Sequence, residues 1–311
     1  MGAASLSSNN IIGSFFARLE QNTGEGYINR IATVPFESDQ AQEEYKWLGQ
    51  APAMREWVGG RQAKGLREAG FIIKNKLYES TMEVTLDEIR RDKTQQVMVR
   101  INEQADRANA HWNKLVSALI VGGETGLCYD GQYFFDTDHS EGDSGTLSND
   151  LTYDVTTTTA PTAAEAESAV MKAVEALYGF KDDQGEPMNE NATDFTVMVP
   201  VPFMGSFAAA LKNPVIVDGS GARTNTIVNI GGFSFQLVVN PRLNWTTKFA
   251  VFRADGGVKP FIRQEEVPLE VSAIAEGSEL EFEERVHRYG ISAIRAADYG
   301  YWQHAVLTTL V

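Results

Sequence analysis

The chain has 311 residues, a formal net charge of −15, and 43% hydrophobic and 22% charged side chains. This is the composition of a folded protein long enough to bury a large core. The acidic balance argues against a dedicated nucleic-acid grip, which draws most of its affinity from neutralised phosphates. No run of about 18 apolar residues occurs, so neither a membrane span nor a membrane partner is expected. The opening Met-Gly-Ala-Ala-Ser-Leu lacks a basic segment leading into an apolar one, and no signal peptide is expected. The single cysteine, Cys128, cannot form an internal disulfide. It reads as a small buried hydrophobe in a chain folded in a reducing cytoplasm.

Charge is distributed unevenly. Residues 46–100 carry a slight basic surplus, while residues 124–194 hold sixteen acidic side chains against Lys172 and Lys181. Two readings are open: a solvated acidic face, or complementary surfaces that steer one copy of the chain onto another.

In chain order, residues 1–40 show no sustained periodicity and read as an extended arm with little core of its own, with a short helix near 11–19. Residues 55–86 read as a long hairpin punctuated by Gly59, Gly60, Gly65 and Gly70, its second limb being the loosely alternating stretch 71–84. An isolated ribbon is marginal in water, so support from a neighbouring subunit is expected. A short helix begins at Leu86. The strongest periodicity lies at 94–121, where Val97, Ile101, Trp112, Leu115 and Leu119 recur at three- and four-residue steps and form the core face of one long helix ended by Gly122-Gly123. Residues 123–160 read as loop and short strand. A helix follows over 163–178 with Thr162 as its cap, then a strand over 195–200, a helix over 202–211 and a loop over 212–226. Strands are expected at 227–230, 233–239, 248–253, 259–264, 269–274, 280–289 and 291–296. Irregular mixing of helices and strands indicates an α+β fold.

Catalytic chemistry finds little footing. Asp136, Asp138, Glu141 and Asp143 could offer oxygen ligands to a hard cation, but their spacing is not that of a calcium loop, and a hydrogen-bonded loop is the plainer reading. Gly142-Asp143-Ser144-Gly145 has the form of a serine-protease nucleophile motif. Such a motif needs a histidine and an aspartate far upstream, and the only histidine there is His111, inside the helical stretch. His111, His139, His287 and His304 show no zinc-ligand spacing, and no phosphate-binding glycine loop occurs. No catalytic residue, metal or cofactor is expected.

Several strings together carry a resemblance. Trp47-Leu48-Gly49-Gln50, Met54-Arg55-Glu56-Trp57-Val58-Gly59 with Arg61, and residues 75–84 resemble the Mu-like phage major head subunit family. So do Phe135-Asp136-Thr137-Asp138-His139, Lys259-Pro260-Phe261-Ile262-Arg263-Gln264, Arg288-Tyr289-Gly290 and Gly300-Tyr301-Trp302-Gln303, in the family's order over residues 45–305. The first forty residues and 291–297 depart from it. The resemblance implies a Hong Kong 97-type major capsid fold. Its parts would be an N-terminal arm (1–40), an extended hairpin loop with the start of the peripheral domain (41–92), a peripheral domain with a long spine helix (93–159), an axial domain (160–257) and strands returning to the peripheral domain (258–311). It also implies a structural protein rather than an enzyme, assembling with itself into the pentamers and hexamers of an icosahedral shell in the host cytoplasm and residing in the virion. Scaffold, portal and decoration proteins would be further partners, and packaged DNA would be touched without sequence specificity. Extended-loop contacts between subunits would fall to Arg55, Trp57, Arg61, Lys64, Arg67, Phe71, Lys74 and Lys76. Some relatives seal the shell through a Lys-Asn isopeptide bond, for which Lys64, Lys74 or Lys76 would be the local lysines. Two other readings are an encapsulin-like compartment shell and a soluble metal-dependent hydrolase built on 136–143.

Overall fold

Apolar runs collect into two main sheets in the computed structural model, which describes residues 8–21, 26–45, 70–91, 96–218 and 221–311. The first sheet has the order β5 (Asp150–Tyr153), β13 (Ala305–Leu310), β10 (Lys248–Arg253), β6 (Asp194–Val199) and β9 (Ser234–Val239). In β6 and β10 the residues from Phe195 to Val199 and from Phe249 to Phe252 are all buried, the continuous run required of a strand covered on both faces. Helix α6 (Ala163–Gly179) packs on β10 and β13, and α7 (Met204–Lys212) on β9. Thr162 caps α6 in a reciprocal box: its hydroxyl accepts from Glu165 N, and the Glu165 carboxylate accepts from Thr162 N. Partial burial pushes Glu165 upward, but the hydrogen bonds from Thr156 and Thr162 prevail and bring its pKa down to about 2.

The second sheet has the order β1 (Phe36–Glu37), β11 (Phe261–Ile274), β12 (Val286–Tyr299) and β4 (Lys76–Thr85). β11 and β12 form a hairpin of two 14-residue strands. Its register shifts between Glu265 and Glu270, around Pro268, which has no N–H to give the ladder. A separate core lies against this sheet. Ile11 and Phe15 of α1 (Ser8–Gln21) meet Val97, Ile101 and Ala105 of α4 (Gln96–Asn109) and Val84, Tyr289 and Ile291 of the strands. Fully burying a side chain such as Phe15 contributes about 1.5–3 kcal/mol. Arg18 adds a two-pronged bond to Asp106, at 2.8 and 2.9 Å.

The structure corrects the sequence reading at several points. The leading segment is not wholly extended: α1 lies on α4, and α2 (Ile28–Ile31) is buried in the main core. The described part of 94–121 is two helices, α4 and α5 (His111–Gly122), parted at Ala110, whose ψ of 3° leaves the helical region. The break lets one rod serve two cores. α4 faces the second core, whereas Val116 and Ile120 of α5 enter the first. Val97, Ile101 and Trp112 are therefore buried, while Leu115 and Leu119 stay half-exposed because the turn moves the stripe round by one residue.

The stretch 71–84 is likewise two strands. β3 (Phe71–Lys74) pairs with β2 (Gln42–Tyr45), and the chain changes sheet at Asn75 to enter β4. Residues 227–229 are helical, within α8 (Thr226–Asn229), because the buried Asn225 caps Ile227 N. The expected loop 212–226 contains the strand pair β7 (Val215–Asp218) and β8 (Gly221–Thr224). Residues expected to open a strand at 280 form α9 (Glu279–Glu284), capped by Ser278 and stopped by Arg285 at φ 58°. Finally, β13 does not rejoin the β11–β12 sheet. It inserts between β10 and β5 of the first sheet, where its apolar run is covered on both sides.

Candidate assembly surfaces

The acidic loop is held as structure. His139 is fully buried, with Nδ1 2.7 Å from Asp130 Oδ2 and its ring stacked on Trp302. Ser144, the would-be nucleophile, accepts from Glu141 N and donates to Gly145 O. Gly142 adopts φ 52° against the Asp183 carbonyl, which accepts from Asp143 N. Asp136 accepts from Tyr133 N and Thr137 N. Among the described residues, no three or more His, Cys, Asp or Glu side chains converge into a metal cage. Cys128 is buried, and burial raises its thiol pKa well above the ordinary value, so the thiolate is disfavoured.

Three surfaces remain. The first is the β2–β3 pair, whose two strands bracket residues 46–69. Glu43 lies opposite Ile73, and Tyr45 opposite Phe71. The pair is fixed to the β11–β12 sheet at Asn75. Asn75 Nδ2 lies 2.8 Å from Gln40 O, 3.2 Å from Ser38 Oγ and 3.2 Å from Glu266 Oε2, and Asn75 Oδ1 accepts from Gln264 Nε2. Tyr45 donates to Gln264 Oε1 from the ribbon side. Of the residues expected to make loop contacts, Phe71 is half-buried beside Tyr45, and Lys74 and Lys76 are exposed on either side of Asn75. Arg55, Trp57, Arg61, Lys64 and Arg67 lie outside the described residues.

The second surface is the end of the β11–β12 hairpin. α9 carries Glu279, Glu281, Glu283 and Glu284 around Phe282, which is 89% exposed. Beside it stands α3 (Leu86–Arg91), ending in Arg90 and Arg91. Leu86 N donates to Arg285 O, and the Arg285 guanidinium is 3.3 Å from Asp87. An aromatic side chain in water, next to an acidic helix and a charge-balanced one that ends in two arginines, makes this a candidate contact surface. In the sequence, Glu281-Phe282-Glu283 alternates as a strand does, so the pattern points to a strand and hides this exposed ring.

The third surface is the bend between α4 and α5. Trp112 anchors it, with the Arg263 and Arg295 guanidinium carbons 5.5 and 4.9 Å from its ring centroid. Arg263 is fully buried and donates to Thr33 O and Asn29 Oδ1. Beside the bend the His111 ring meets Tyr78 edge-on, 4.4 Å between centroids, and a cavity of about 170 Å³ opens between the helices and the β4–β12 strands. Two buried arginines are invisible to hydrophobic patterning, and neither was anticipated as part of the helix seat.

Residues 13–161 match the family model described as the Mu-like prophage major head subunit gpT. The Mu-like prophage FluMu major head subunit of Haemophilus influenzae is 38% identical over 112 residues. The major capsid protein of Escherichia phage Mu is 34% identical over 111 residues. Each alignment covers 36% of this chain and 36% of the relative, so the matched segment spans about a third of each of those proteins. A chain from the procapsid of bacteriophage JBD30 superposes with a TM-score of 0.53 at 23% identity, covering 99% of this chain and 76% of that one. The fold is thus the α+β, Hong Kong 97-type fold of phage capsid proteins.

Proposed function

We propose that this chain, whose residues 13–161 carry the Mu-like major head subunit pattern on a phage capsid fold, is the major capsid protein of a tailed bacteriophage. The observation that carries the reading is the coincidence of a head-subunit sequence match with a capsid fold that runs through 99% of the chain. On this reading the protein has a structural task. Copies assemble into the pentamers and hexamers of an icosahedral shell around double-stranded DNA, in the host cytoplasm, and remain in the virion.

The parts divide the labour. Residues 1–40 form the arm, although α1 is docked on its own subunit. The extended loop, assigned within 41–92 and represented among the described residues by the β2–β3 ribbon, lies across a neighbour on this reading. α4 and α5 together form the spine, and the β11–β12 hairpin with its α9 tip is the long limb of the peripheral domain. The sheet built from β6, β9 and β10 forms the axial domain, with β13 as a late addition to it. Each contact between copies is modest, and the shell becomes stable because many close at once. A net charge of −15 suits a container for DNA, since the packaged polymer is not held fast by the wall. Scaffold, portal and decoration proteins complete the proposed set of partners.

Electron microscopy and size-exclusion chromatography of the purified full chain test this. Capsomers or closed shells are expected. A species that stays at 34.2 kDa across the accessible concentration range, with or without co-expressed scaffold, would overturn the proposal.

A further inference from the structure

The cavity at the α4–α5 bend has mostly apolar walls, among which stand three cationic side chains. Arg107 and Lys114 contribute from the two helices and are exposed, whereas Arg295 of β12 is only 3% exposed. His111 lines the same space. Burial first, and then the charges of Arg295 and Lys114, lower its pKa to about 4. Glu79 is the one acidic residue among the described residues of the lining, and it already accepts from Thr81 Oγ1 at 2.7 Å.

Three buried polar atoms of the lining residues, Arg295 Nε, His111 Nδ1 and Gln104 Oε1, have no hydrogen-bond partner among the described residues. Arg295 pairs with Glu265 only at 3.8 Å. The Trp112 ring compensates the guanidinium in part, but a buried Nε–H without an acceptor is costly, and the planar donor fork matches a carboxylate. The chain itself supplies such groups in excess, with 42 acidic against 27 basic side chains.

We propose that this cavity is a carboxylate-binding site, filled in the assembled particle by an acidic side chain of a second copy of the chain. The site rests on the capsid reading and deepens it. It makes the bend in the spine a receptor, in which Arg107 and Lys114 draw the incoming group and Arg295 receives it.

The test uses assembled particles grown from an equal mixture of ¹⁵N-labelled and unlabelled full chain, treated with a zero-length carbodiimide and read by peptide mass spectrometry. The expected product is an amide between Lys114 and an Asp or Glu, with pairs of mixed isotope that place the two residues on different copies. Lys114→Arg should keep the particles and abolish the link. Arg107→Ala, at an exposed position, should cut its yield about ten-fold. Intact particles in which Lys114 stays unmodified, or links only within one copy, would overturn the site while leaving the capsid reading in place. Phosphate binding at this cavity in dissociated subunits, with no inter-copy link in particles, would also overturn it by assigning the cavity to a free anion. Failure to form any particle would sink the capsid reading, and this inference with it.

Discussion

His139 and Trp302 lie face to face, with ring centroids 3.9 Å apart and planes 7° from parallel. One comes from the acidic loop and the other from the turn before β13, so the stack joins segments more than 160 residues apart. His139 also meets the Asp130 carboxylate, which is 2% exposed. His139→Leu would keep most of the volume but remove the imidazole from the buried Asp130 carboxylate, which keeps the bond from Gln132 N. The expected loss is about 1.5–3 kcal/mol, that of a hydrogen bond to a charged group, read from denaturant unfolding of the dissociated chain. Asp130→Asn, which can still bond the imidazole, should cost less. Equal stability of His139→Leu and the parent would remove this pair from the account of the loop.

His304 provides a pH prediction. Burial lowers its pKa to about 4, aided by Arg253 and Lys259 and opposed by the bond to Val258 O. In the unfolded chain the group titrates near 6.5. Between these values the unfolded state binds the extra proton, so stability is full above pH 6.5 and declines as pH falls toward 4. His304→Gln should flatten that decline, measured as the unfolding midpoint at pH 7 against pH 5. A slope unchanged by the substitution would assign the acid sensitivity elsewhere.

Residues 47–68 can be replaced by a short glycine-serine turn without touching β2 or β3. The expected variant folds, because Asn75 and Tyr45 still tie the ribbon to the sheet. It does not form stable shells. Circular dichroism and thermal melting report the first outcome and electron microscopy the second. Normal particles from this variant would show that the bracketed segment has no part in holding neighbours together.

Phe282→Asp removes an exposed apolar ring and adds charge among four glutamates. Because the ring contacts water in the isolated subunit, stability should change by less than about 0.5 kcal/mol. Particle yield should fall sharply, and light scattering at fixed protein concentration would follow it. Unaltered assembly would exclude the hairpin tip from the contacts between copies.

Much of this architecture is legible in the residues, and the failures share a physical cause. Thr162 and Glu165 announce the start of α6, and the unbroken apolar runs of β6 and β10 announce a sheet buried on both sides. Periodicity also finds the rod made by α4 and α5. It cannot find the turn at Ala110, because an alanine there obeys helical propensity and the bend is imposed by two cores facing different ways. Local propensity also misplaces α8 and α9. Both are short, and each depends on one capping side chain, Asn225 or Ser278, whose effect is decided by its surroundings. The Trp112 seat escapes notice because charged residues are read as surface, and Arg263 and Arg295 are buried.

Asn75 has one further consequence. It is a single amide at which two sheets, the ribbon and the strand that follows are tied together. A closed lattice of identical parts has to accommodate rings of five and of six, and the angle between a ribbon and its own body must then differ from site to site. In the proposed shell, with the knot at Asn75 intact, that variation would not be taken up by a loose hinge. It would be spread through the twist of β11 and β12, whose ladder already slips near Pro268. The long hairpin would in this sense be the spring of the lattice, and the asparagine the clamp that transmits load to it.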